Sequence, residues 1–258
     1  MLPAGMERVC IGGDVTLYKA DCRDILPTLG KVDVVVTSPP YNMRTRVRNG
    51  EYTEREMKPH FSKKYSDFPD ALPIEEYYDL HRMVLAQLLE VARIVFINIS
   101  VVTGSKEAWF KIIGDFSHQL KDVIVWDKGE GQPAMHPSVI NRSFELILAL
   151  ERDAEPGRAF ARSYFKRGEM PDIWRLGRGD NNVDGHNATF PESLPQRIVA
   201  GWTQTGDTIL DPFMGSGTTG VAALKLGRRF IGVEISPDYF KVACERIKRE
   251  YDQTKMQF

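Results

Sequence analysis

The stretch from Asp207 to Gly220 constrains the fold more than any other part of the chain. Thr208-Ile209-Leu210 reads as a short apolar strand closed by Asp211. Pro212-Phe213-Met214-Gly215-Ser216-Gly217-Thr218-Thr219 then forms a glycine-rich turn that opens a helix. Glycines at such a turn let backbone approach a ligand closely, and the helix N-terminus supplies N–H groups and partial positive charge. The helix leads to a second apolar run, Phe230-Ile231-Gly232-Val233, closed by Glu234. Strand, helix and strand in this order make a parallel βαβ unit, and an acid at the end of its second strand suits the hydroxyls of a ribose.

A second strand end carries different chemistry. Val32-Asp33-Val34-Val35-Val36 is rich in β-branched residues and runs into Thr37-Ser38-Pro39-Pro40-Tyr41-Asn42. Two successive prolines cannot donate to a sheet ladder and each restricts the residue before it, so the strand must end in a stiff hook. The hook offers a hydroxyl, carbonyls of restricted direction and an aromatic ring. Together these can hold a flat, amine-bearing ring. Taken alone, the same residues describe a strand-terminating turn with a half-buried tyrosine.

The two motifs together resemble those of the amino-group DNA methyltransferases, β group, which use S-adenosylmethionine. The resemblance extends over nearly the whole chain. In that family a (Asp/Asn/Ser)-Pro-Pro-(Tyr/Phe) motif carries catalysis, which implies catalytic roles for Ser38, Pro39, Pro40 and Tyr41. An acid-Pro-x-x-Gly-x-Gly motif carries the cofactor, which implies cofactor binding by Asp211, Pro212, Phe213, Gly215, Ser216, Gly217 and Thr218. The family's adenine-contacting region is similar to Lys19 to Asp24, with Asp21 and Cys22 at the cofactor. Its last cofactor-side motif is similar to His186 to Glu192, with Phe190 at the pocket, and Glu234 falls to the ribose. The implied fold is α/β: a Rossmann-like, doubly wound, mostly parallel seven-stranded sheet with one antiparallel strand. It is the class I S-adenosylmethionine-dependent methyltransferase fold, circularly permuted because the catalytic motif precedes the cofactor loop, with a small target-recognition insertion.

Composition agrees with one domain over residues 1–258. The chain has 42% hydrophobic residues and no run long enough to span a membrane. Cys10, Cys22 and Cys244 lack paired metal-ligand spacing, so no metal site is expected and the thiols read as reduced packing residues of a cytoplasmic protein. Net charge is −1, so attraction to nucleic acid has to be local. Residues 43–66 hold seven Lys or Arg against three Glu, and residues 158–178 hold six against two acids; each stretch is net +4 with aromatic rings between the charges. Residues 43–73 read as a mobile DNA-contacting loop, with Arg44, Arg46, Arg48, Lys63 and Lys64 as phosphate ligands, and residues 151–185 as a candidate target-recognition insertion. The alternative for either stretch is a solvated loop with a few buried rings.

Elsewhere the chain alternates strands and helices. Strands are expected at 15–20, 94–99, 122–127 and 144–150, and helices at 74–92 and 106–116. A C-terminal helix is expected with Ser236 as cap, Pro237 at its first position and Phe240, Ala243, Ile247 and Tyr251 on one face.

The function implied is a site-specific DNA methyltransferase acting on the exocyclic amine of a base flipped out of double-stranded DNA. Ser at the first hook position favours cytosine N4. Adenine N6 is the alternative, and Asn42 after the tyrosine also occurs in adenine enzymes. Methylation of RNA, protein or a small amine, and a non-catalytic S-adenosylmethionine-binding regulator, are more remote. A restriction-modification system with a separately acting endonuclease, a solitary methylase and a homodimer all fit these residues, and no membrane partner is expected.

Overall fold

The computed structural model describes residues 6–42, 47–48, 51–52, 72–132, 138, 140–177 and 190–256. Arg44, Arg46, Lys63 and Lys64, the side chain of Arg48, and residues 178–189 with His186 lie outside that description, and so does most of the 43–73 loop. Two short strands within the loop, β4 (Val47–Arg48) and β5 (Glu51–Tyr52), pair antiparallel apart from the main sheet.

Five strands form the parallel centre: β2 (Val15–Lys19), β11 (Arg229–Glu234), β10 (Thr208–Asp211), β3 (Val32–Thr37) and β6 (Ala92–Ile99), side by side in that order. Near-continuous burial of Val34, Val35, Val36 and of Ile94 to Ile99 is what a strand covered on both faces requires. Beyond β6 come β8 (Arg142–Glu151), antiparallel, then β7 (Leu120–Gln132) and the short β9 (Ile173–Arg175). At the other edge β1 (Glu7–Ile11) pairs antiparallel with β2.

The sheet therefore has nine strands among the described residues, where the resemblance implied seven with one antiparallel member. The two additions, β1 and β9, are edge strands of five and three residues. Their side chains are largely exposed, so neither has the buried apolar run by which a strand shows itself in sequence.

Helices cover both faces. On one lie α1 (Cys22–Ile25), α2 (Ile74–Val91) and α3 (Lys106–Asp115), which bury Ile25, Tyr77, Leu85, Leu88 and Trp109 against Val35, Val95 and Leu210. On the other lie α4 (Ser193–Trp202), α5 (Thr218–Lys225) and α6 (Pro237–Lys255), which bury Ile198, Trp202, Val221 and Ile247 against Val34, Phe96, Ile209 and Phe230. The crossover from β10 to β11 uses α5, and the one from β3 to β6 uses α2, on opposite faces and in opposite directions along the sheet. Strand order thus reverses between β10 and β3, which opens a crevice at the C-terminal edge. Ser38, Asp211 and Glu234 all stand at that edge.

Several rings and cations of the 151–177 segment are engaged within the protein. Phe160 and Phe165 pack around Trp202, and Trp174 is buried with its indole N–H donated to the Pro171 carbonyl. Arg158 pairs with Asp122 at 2.8 Å, while Arg162 reaches Asp33 at 3.0 Å and Asp207 at 2.6 Å. Asp33 is the second residue of β3 and Asp207 directly precedes β10, so Arg162 sits at the sheet edge opposite Ser38 and Asp211.

Candidate functional site

The ends of β2, β3, β10 and β11 face one cavity of about 1020 Å³, part of it open to solvent. Its wall includes Asp21 and Cys22, the whole hook from Ser38 to Tyr41, Phe190, the loop from Asp211 to Ser216 with Thr218, and Glu234. The sequence-derived catalytic and cofactor sets therefore share one space; Gly217 stands behind it, at the start of α5.

The glycine loop is built by its acid. The buried Asp211 carboxylate accepts hydrogen bonds from Thr37 Oγ1 at 2.7 Å, Thr219 Oγ1 at 2.7 Å and the Phe213 N–H at 3.1 Å. Burial raises its carboxyl to about 6 against the pull of those donors. Gly217, at φ +82°, turns the chain into α5, and a Cβ there would lie 2.9 Å from Ile247. From α6, Arg246 donates to the Ser216 carbonyl at 2.6 Å and to its hydroxyl at 2.9 Å, tying the loop to a helix 30 residues further along the chain.

Glu234 accepts from the Gly215 N–H at 2.9 Å through one oxygen and from the Ser236 N–H at 2.8 Å through the other. Burial pushes its carboxyl up to about 7, again against those two N–H groups. Ser236 stands at the cap position of α6, as expected, but its side chain makes no capping bond. Asp21 caps α1 by accepting from the Arg23 N–H at 2.9 Å and also holds the Arg23 guanidinium at 2.6 Å. Burial alone would raise Asp21, and the Arg23 contacts outweigh it, leaving the carboxyl below its ordinary value. Burial drives the Cys22 thiol up to about 12, so it is a packing group with no thiolate chemistry at neutral pH.

The hook is braced on every side. Tyr77 Oη donates to the Pro40 carbonyl at 2.6 Å, and Trp109 Nε1 donates to that same Oη at 3.2 Å. Below Tyr77, the buried His81 packs against its ring at a tilt of 33° and is held down to about 4 by burial. Asn42, at φ +53°, leaves the hook in a conformation that asparagine tolerates better than most residues. Its amide donates to the carbonyls of Leu72 and Gly104, so the side chain acts as an anchor for the hook and not as a wall of the cavity.

Three residues that sequence reasoning passed over stand directly behind the hook. Ser38 Oγ and Tyr41 Oη are 3.0 Å apart; Tyr41 Oη donates to Glu145 Oε2 at 3.0 Å; Asn98 Nδ2 donates to Tyr41 Oη at 3.0 Å and to Glu145 Oε2 at 2.7 Å; Lys128 Nζ meets Glu145 Oε1 at 2.5 Å. Asn98, Glu145 and Lys128 come from β6, β8 and β7. Each is two residues from a core member of one face, Phe96, Ile147 and Trp126, so strand alternation points all three the same way. A signal was present: Glu145 and Asn98 are polar residues inside otherwise apolar strands, where an unpaired polar group is costly.

Among the described residues no group of three or more His, Cys, Asp or Glu is placed to hold a metal ion, and no helix is long and apolar enough to cross a membrane.

The chain matches the profile of the DNA methylase family (N6_N4_Mtase) over residues 32–245. It is 33% identical over 160 residues to the type II methyltransferase M2.DpnII of Streptococcus pneumoniae, and 30% identical over 158 residues to M2.LlaDCHI of Lactococcus lactis subsp. cremoris. Each alignment covers 58% of this chain and 56% of the relative, so the match spans little more than half the length of either. The fold is similar to that of the PvuII DNA methyltransferase (cytosine-N4-specific), with TM-score 0.67 and 16% identity over 94% of this chain and 93% of that one. It is also similar to M1.HpyAVI in complex with SAM, with TM-score 0.62 and 22% identity over 90% of this chain and 98% of that one.

Proposed function

The chain belongs to the DNA methylase family, and from that premise we propose that it methylates the exocyclic amine of a base extruded from double-stranded DNA, with cytosine N4 as the target. The observation that carries this reading is the single cavity shared by the hook and the glycine loop. An amine on the base would meet Ser38 and the Pro39 carbonyl at one wall, with the loop and Glu234 at another.

The cavity suits S-adenosylmethionine by its donor set. Glu234 offers carboxylate acceptors for ribose hydroxyls; Phe190, Pro212, Phe213 and Ile235 supply apolar walls for a flat ring; the loop between Asp211 and α5 supplies backbone amides. Bound there, the cofactor would supply an electrophilic methyl on sulfur, and the amine nitrogen that accepts it would lose a proton to solvent. Asp211 acts on the loop from behind, because its oxygens are taken by Thr37, Thr219 and Phe213. Asp21 acts from the far wall, where the Arg23 fork must share it with an adenine amino group.

An exocyclic amine is a weak nucleophile because its lone pair is delocalised into the ring. Oriented acceptors for its two hydrogens favour pyramidalisation and aim the lone pair, which is how Ser38 Oγ and the Pro39 carbonyl would act, while the Tyr41 ring stacks on the base. The base must leave the duplex to reach them. Arg44, Arg46, Arg48, Lys63 and Lys64, directly after the hook, are the proposed phosphate ligands. Adenine N6 is the alternative with the same chemistry, and Ser38 at the first hook position is what favours cytosine. Incubation of mixed-sequence DNA with the protein and S-adenosylmethionine, followed by nucleoside mass spectrometry, tests both. N4-methylcytosine is the expected product; N6-methyladenine would move the assignment to the alternative, and neither product would remove it.

A further inference from the structure

The group behind the hook has a definite hydrogen-bond polarity, and we infer that Glu145 is a positioning residue that makes the hook present an acceptor to its substrate. This rests on the amine-methylation reading above. Glu145 is 7% exposed and held by the Lys128 ammonium at 2.5 Å, so its carboxylate has only acceptors to offer. Asn98, 2% exposed, must turn Nδ2 toward it, because the reverse orientation would set an amide oxygen against the carboxylate at 2.7 Å. Tyr41 has a single hydroxyl hydrogen, which goes to Glu145 Oε2. Tyr41 Oη also accepts from Asn98 Nδ2 at 3.0 Å, so toward Ser38, 3.0 Å away, it too can only accept, and the Ser38 hydrogen points at it.

The consequence reaches the cavity. With its hydrogen committed to Tyr41 and the Asn98 amide 3.5 Å from its oxygen on the same side, Ser38 faces the cavity with a lone pair. An amine donor is matched there, and a ring carbonyl at the same place meets acceptor against acceptor. The arrangement selects the amino face of cytosine or adenine over the carbonyl face of thymine or guanine, and it is set two hydrogen bonds behind Ser38, at Glu145. An amide at position 145 keeps its one oxygen for Lys128, so the Tyr41 hydrogen loses its fixed acceptor and can turn to Ser38, which frees the Ser38 hydrogen to turn into the cavity.

Two conservative variants test this, with methyl transfer to mixed-sequence DNA and cofactor affinity measured for each. Glu145→Gln keeps the shape and admits the reversed chain; Tyr41→Phe removes the relay. Each is expected to lower kcat by about tenfold to a hundredfold, on the scale of a lost oriented hydrogen bond, with cofactor Kd unchanged. The double variant should show less than about a twofold further loss beyond Tyr41→Phe alone, because Glu145 acts only through that hydroxyl. Parental kcat in Tyr41→Phe, or losses that multiply in the double variant, would overturn the inference while leaving the methylation reading intact. A parent protein that puts no methyl on DNA would remove that reading and this inference with it.

Discussion

Thr37 Oγ1 lies 2.7 Å from Asp211 Oδ1, joining the last residue of the strand that carries the hook to the last residue of the strand that carries the glycine loop. The two residues are 174 positions apart in sequence, and β3 and β10 are hydrogen-bonded neighbours. The contact sets the distance between the two halves of the cavity. It does so at the point where strand order reverses, where no helix intervenes.

Breaking that contact leaves a buried carboxylate short of a donor. Thr37→Val keeps the side-chain shape and should cost about 1–3 kcal/mol of stability, the penalty for an unsatisfied buried polar group. Thr219→Val should cost a similar amount, and the pair should not add, because both hydroxyls serve Asp211. Cofactor affinity should fall in both. Urea unfolding of the two single variants and the double variant measures this, and unchanged midpoints would show that the loop does not depend on Asp211 for its shape.

Glu234 gives the site a pH dependence of defined sign. Its carboxyl stands at about 7 in the folded protein against an ordinary 4.5, so across that window the folded state binds more protons than the unfolded one. The contribution to stability is full below the ordinary value and is lost as pH rises through about 7, with a slope of at most about 1.4 kcal/mol per pH unit. Asp211, raised to about 6, acts in the same direction at lower pH. Cofactor affinity should run the opposite way, since ribose hydroxyls need the ionised carboxylate. It should climb as pH rises to about 7 and level off above. Glu234→Gln should flatten both curves, and calorimetric titration across the window would expose a flat profile in the parent if Glu234 played no part.

The hook and the glycine loop were legible in sequence because their chemistry is local. Pro39 and Pro40 stop a strand wherever they occur, and Gly215 and Gly217 take positive φ where the turn requires it. Helix α2 was legible for a similar reason, its buried stripe of Tyr77, Val84, Leu88 and Val91 recurring at helical spacing. Glu145, Lys128, Asn98 and Arg246 were not, because each acquires its meaning only when strands or helices distant in sequence come together. Phe160, Phe165 and Trp174 read as rings between charges, suited to bases, yet they form core around Trp202 and β7. Composition cannot tell a ring that faces DNA from one that faces the protein interior. Helix α4 escaped notice because its apolar face follows residues of no clear periodicity.

Ser38→Ala should separate catalysis from cofactor binding. The hydroxyl has Tyr41 behind it and the cavity before it, and no bond to the glycine loop is among its contacts. Removing it deletes an acceptor for the amine at the cost of about 2–4 kcal/mol of transition-state stabilisation, by analogy with oriented groups at other polar transition states. The methyl-transfer rate should fall accordingly while cofactor Kd stays within about twofold, since a twofold change is under about 0.5 kcal/mol. Near-normal turnover would reduce Ser38 to a turn residue.

DNA affinity should follow the cations after the hook and not Arg158 or Arg162. Log affinity is expected to fall with log salt at a slope of about −0.9 per phosphate contact, and Arg44, Arg46 and Arg48 changed together to Ala should flatten that slope while leaving cofactor binding unchanged. Arg162→Ala is the contrasting variant. Its guanidinium is shared between Asp33 and Asp207 at the opposite edge of the sheet, so its loss should lower stability and leave the salt slope unchanged. Arg158, paired with Asp122, should behave likewise. A triple variant with the parent's DNA affinity and salt slope would rule the loop out as the phosphate-contacting surface.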